Sequence, residues 1–73
     1  MGKRYYMPEG MSERLKGCIE KSGLGRIETA RRLGVSRSTL YRWLDEIAPP
    51  NVTELAKICK MFNVSADYLI FGV

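Results

Sequence analysis

Histidine is absent from the 73 residues, and there are only two cysteines. Cys18 and Cys59 stand far apart, so no metal-ligand spacing exists. No Ser or Cys has a recognisable base, and no glycine-rich phosphate loop occurs, so neither an enzyme nor a cofactor is expected. Long apolar runs are missing too. That excludes a membrane span, and the basic start at Lys3 and Arg4 lacks the apolar stretch of a signal peptide, so the cytoplasm is the expected compartment. No segment alternates with period two, so no sheet is expected. What is present is 45% hydrophobic and 27% charged, ordinary for one small globular domain.

Charge is unevenly placed. Ten of the 12 Lys and Arg residues lie between Met1 and Trp43, against four of the eight acids. The back half, from Leu44, is mildly acidic. A basic front half implies a polyanionic partner or a solvated basic surface, and charge alone does not choose between them.

Residues 1–10 have no period and end in Pro8 and Gly10, which reads as a flexible basic arm. Residues 11–73 read as one all-α domain. Helix 1 is expected over about Met11 to Lys21, with Leu15, Cys18, Ile19 and Ser22 on one face and Gly23 ending it. Helix 2 is expected over Arg26 to Leu33, burying Ile27, Ala30 and Leu33, with Gly34 as its stop. Helix 3 follows Ser36, a good N-cap. Its inward face is Leu40, Trp43, Leu44 and Ile47; its outward face is Arg37, Ser38, Tyr41 and Arg42. Asn51 and Glu54 form a capping-box pattern for helix 4, whose stripe is Val52, Leu55, Ile58, Cys59 and Phe62. Ser65 caps a short helix 5 anchored by Tyr68 and Leu69, with Phe71 a candidate third anchor. Both cysteines fall on apolar stripes. They read as reduced, buried thiols, with a disulfide between them as the alternative.

The stretch from Arg26 to Trp43, RIETARRLGVSRSTLYRW, carries the function. Two short helices joined by Leu33-Gly34-Val35-Ser36 must cross steeply. Ala30 permits close approach, Gly34 turns the chain, and Val35 and Leu40 fill the wedge. With Leu15, Gly23-Leu24, Trp43, Pro50, Leu55 and Val64-Ser65-Ala66-Asp67-Tyr68-Leu69, at these intervals, the chain resembles the phage-repressor-like helix-turn-helix domains. These are the lambda repressor, Cro and XRE-type regulators. The resemblance covers residues 11–73. It implies a five-helix lambda-repressor-like fold with helix 3 in the DNA major groove.

The resemblance also implies roles. The first two residues of helix 3 and one a turn later meet base edges; here these are Arg37, Ser38 and Arg42. Arginine can bond N7 and O6 of guanine together. Arg26, opening helix 2, matches a phosphate-gripping position, and phosphate contacts set register. Thr39 and Tyr41 touch a phosphate, a thymine methyl or neither. Lys3 and Arg4 in the arm either follow a groove or form a free tail. Arg31 and Arg32 read as solvated or long-range electrostatic cations, with a direct DNA contact as the alternative.

Two departures from the family pattern stand out. Gly25 replaces a capping hydroxyl before helix 2. Leu44-Asp45-Glu46-Ile47-Ala48-Pro49 replaces a glycine-containing basic loop, so helix 3 is expected to run about a turn further, to the prolines.

The resulting expectation is a sequence-specific transcriptional repressor, or its N-terminal domain, on a double-stranded DNA operator. The homodimer usual in the family would use helix 5, through Tyr68, Ile70, Phe71 and Val73, or a missing C-terminal domain. The alternative is an antitoxin-like protein-interaction module that also binds DNA.

Overall fold

Glycines and small polar side chains punctuate the chain into five helices. The structure, a computed structural model, describes residues 7–73. The helices are α1 (Met11–Ser22), α2 (Gly25–Leu33), α3 (Arg37–Leu44), α4 (Val52–Phe62) and α5 (Ala66–Phe71), and no strand occurs among the described residues. The start signals work as their chemistry dictates. The Ser36 hydroxyl accepts from the Thr39 amide at 3.1 Å, and Ser65 accepts from the Tyr68 amide at 2.9 Å. Asn51 and Glu54 bond reciprocally, at 2.7 and 2.8 Å, completing the capping box. By contrast α2 opens at Leu24 and Gly25 with no side-chain cap.

The core gathers one stripe from each helix: Leu15, Cys18 and Ile19 from α1, Ala30 and Leu33 from α2, Leu40, Trp43 and Leu44 from α3, Ile58 from α4, and Leu69 from α5. Leu55, Cys59 and Phe62 are half-buried around it. A fully buried leucine or isoleucine stabilises by about 1.5–3 kcal/mol, so these few side chains hold most of the fold. α1 packs against α2, α3 and α5, and α4 bridges α2 to α5. The Ser12 hydroxyl, buried, donates to the Trp43 carbonyl at 2.6 Å and ties the start of α1 to the end of α3.

Five expectations about burial and length fail. Ile27 is 64% exposed and Val52 is 84% exposed. Each lies in the first turn of its helix, and most of its side chain stays in solvent. The inner position in α2 is instead taken by Thr29, fully buried, whose hydroxyl donates to the Gly25 carbonyl at 2.6 Å. Phe71 is 68% exposed and does not anchor α5. Finally, α3 does not run on to the prolines. It ends at Leu44, and Ile47 is 57% exposed.

The early end has a backbone cause. Glu46 adopts φ 59, the left-handed conformation usually supplied by glycine. The chain then folds back, so that the Ile47 and Ala48 amides donate to the Arg42 carbonyl at 2.9 and 3.3 Å. A turn of the glycine type is made without the glycine.

Candidate nucleic-acid interface

The turn between α2 and α3 sets the geometry of the candidate site. Gly34 sits at φ 75, and the Gly34 and Val35 amides donate to the Arg31 and Ala30 carbonyls at 3.1 and 3.0 Å. This closes α2 and aims the chain into the Ser36 cap. Ala30 is 2% exposed, small enough for α3 to approach.

On α3, Leu40, Trp43 and Leu44 are buried, which fixes the rotation of the helix. Arg37, Ser38, Tyr41 and Arg42 are exposed. The four project together from a helix whose other side is locked in the core. An α-helix of this diameter fits the major groove of B-DNA.

Thr39 is half-buried, and its Oγ1 accepts from the Ser36 hydroxyl at 3.0 Å. Its first task is therefore internal, at the start of the helix. Arg26 is exposed at the start of α2, and its guanidinium lies over the Tyr41 ring, 5.3 Å from the centroid. The resemblance implied a DNA role for both residues but gave no sign that they touch. Lys3 and Arg4 lie outside the described residues.

Arg31 and Arg32 are exposed, and each is also paired. Both bind Glu28, at 2.7 and 2.8 Å. Hydrogen bonds from Arg31 and Arg32 hold the Glu28 carboxyl down from its ordinary 4.5 to about 2, so the acid stays charged and offsets one of the two cations. The spacing i, i+3 and i, i+4 could have flagged the pair. Both cysteines are free; burial pushes the Cys18 and Cys59 thiols up and makes them poor nucleophiles at neutral pH. Among the described residues no cluster of side chains has the makings of a metal site, and no helix is long and apolar enough to cross a membrane.

Residues 15–69 match the helix-turn-helix family. The chain belongs to that family. It is 33% identical, over 69 residues, to an uncharacterised HTH-type transcriptional regulator of Haemophilus influenzae, covering 94% of this chain and 28% of that one. It is 30% identical, over 60 residues, to the HTH-type transcriptional regulator ImmR of Bacillus subtilis, covering 82% of this chain and 47% of that protein. The chain thus spans less than half the length of either relative.

Among solved structures, the P22 c2 repressor in complex with a synthetic operator superposes with a TM-score of 0.81 at 27% identity, over 86% of this chain and 96% of that one. The SOS-response transcriptional repressor LexA from Eubacterium rectale gives a TM-score of 0.78 at 33% identity, over 82% of this chain and 64% of that one. The five helices are those of the lambda-repressor-like fold. Residues 15–69 form the helix-turn-helix domain characteristic of DNA-binding transcriptional regulators.

Proposed function

We propose that this chain binds double-stranded DNA sequence-specifically and regulates transcription as a repressor of the phage or prophage type, occupying an operator in the bacterial cytoplasm. It acts by binding and not by catalysis. The observation that carries the reading is the exposed cationic face of α3, set in rotation by the buried Leu40, Trp43 and Leu44. The superposition on a repressor bound to its operator supports it.

In this reading Arg37 and Arg42 each take the N7 and O6 edge of a guanine, and Ser38 makes an adaptable polar contact. Arg26 grips a phosphate, while Thr39 and Tyr41 line the groove edge. Lys3 and Arg4, in an arm formed by residues 1–10, reach a neighbouring groove. Two copies bind half-sites about 34 Å apart. They pair through α5, where Phe71 and Val73 are exposed at 68% and 83% and Ile70 is half-buried.

Selection of bound sites from random duplex DNA at several salt concentrations tests the reading. A motif with two-fold symmetry is expected. Binding that follows salt alone, with no motif, overturns it. Arg42→Ala is expected to relax preference at one position in each half-site, while Arg26→Ala weakens all duplexes alike. Equal losses on every duplex from both changes would remove Arg42 from the base-reading set.

A further inference from the structure

The three cations of α2 are held in two different ways. Arg31 and Arg32 share the Glu28 carboxylate. Arg26 makes no ion pair and no hydrogen bond among the described residues; its guanidinium rests over the Tyr41 ring at 5.3 Å. Tyr41 itself is 38% exposed, so its ring is a shelf on the outer face of α3 and not part of the core. An aromatic face attracts the cation through the ring quadrupole while leaving the N–H edges of the guanidinium free. A carboxylate partner would occupy those edges. The contact also joins the start of α2 to the middle of the reading helix, 15 residues further on.

We propose that Tyr41 is a positioning residue, whose ring carries the Arg26 guanidinium at the edge of the reading helix with its donors free for a DNA phosphate. The proposal rests on the DNA-binding reading and deepens it. One contact then sets both the backbone grip of α2 and the seating of α3. Tyr41 acts through Arg26, and it reads no base itself.

The test measures affinity for a selected operator duplex and for a scrambled duplex, at several salt concentrations. The proteins are wild type, Tyr41→Phe, Tyr41→Leu, Arg26→Ala and the Arg26→Ala, Tyr41→Leu double variant. Tyr41→Leu is expected to weaken both duplexes by the same factor, about 2- to 5-fold for an exposed cation–π contact. Tyr41→Phe is expected to lose less affinity than Tyr41→Leu, since the ring that carries the guanidinium is kept. Tyr41→Leu adds nothing once Arg26 is removed. A loss confined to the operator duplex, or losses that multiply in the double variant, overturns the proposal.

Proton NMR of the free protein separates its failure from that of the DNA reading. The Arg26 δ-methylene protons should be shifted upfield by the ring in wild type and Tyr41→Phe, and not in Tyr41→Leu. If wild type lacks that shift but still selects a motif, the positioning role falls and the DNA reading stands. If the shift is present and no duplex binds, the DNA reading falls and takes the role with it.

Discussion

Arg14 shows how one side chain can close a small fold. Its Nε donates to the Leu69 carbonyl at 2.9 Å, and its Nη2 donates to the carbonyls of Ile70 at 3.0 Å and Glu9 at 2.9 Å. The guanidinium thus ties α1 to the last turn of α5, whose carbonyls have no helical partner. A side chain at Gly10 would collide with it, since a Cβ there would lie 2.5 Å from Nη1. Arg14→Ala is expected to destabilise by about 1–3 kcal/mol, because half-buried carbonyls lose a charged donor. Thermal unfolding would show it, with faster amide exchange in α5. Arg14→Lys should recover only part, since one ammonium cannot span three carbonyls. Glu28 gives a pH prediction. Its carboxyl is held down to about 2, so its contribution is present above pH 4.5 and is lost as the pH falls toward 2. Acid titration of stability should therefore flatten in that window in Glu28→Gln, by a small amount because the pair is solvent-screened.

At the scale of elements, caps and turns decide where the helices lie. Ser36→Ala should cost about 1 kcal/mol, read in a denaturant midpoint, since the Thr39 amide loses its acceptor. Gly34→Ala tests backbone against space. A Cβ there would meet only the Lys57 ammonium, at 4.0 Å, yet φ is 75. The expected loss is about 1–2 kcal/mol from the left-handed conformation, and Lys57→Ala should not relieve it. Rescue by Lys57→Ala would place the cause in crowding. The helix starts were legible because Ser36, Asn51 and Ser65 act through their nearest neighbours. The end of α3 was not legible. Glutamate has no preference for the left-handed region, so nothing local marked Glu46 as the turn.

For the whole molecule, the proposed dimer is the accessible question. Phe71 and Val73 are exposed at one end of α5, while Leu69 alone on that helix is fully buried. Phe71→Asp is expected to reduce self-association in sedimentation velocity and to weaken operator binding, while circular dichroism stays unchanged. An unchanged sedimentation profile from a dimeric wild type would move the interface elsewhere.

The sequence by itself determined the five helices, the core stripe of Leu15, Leu40, Trp43, Leu44, Ile58 and Leu69, and the outward face of Arg37, Ser38, Tyr41 and Arg42. Those follow from helical period and caps, which are local. Tertiary structure decided the rest. It left Ile27, Ile47 and Val52 in solvent, tied Arg14 across to α5, and laid Arg26 on Tyr41. Each depends on which residues from distant positions meet, and periodicity along one helix carries no information about its neighbour. α3 starts where the sequence implied, but its length and the contact it makes with α2 come from packing.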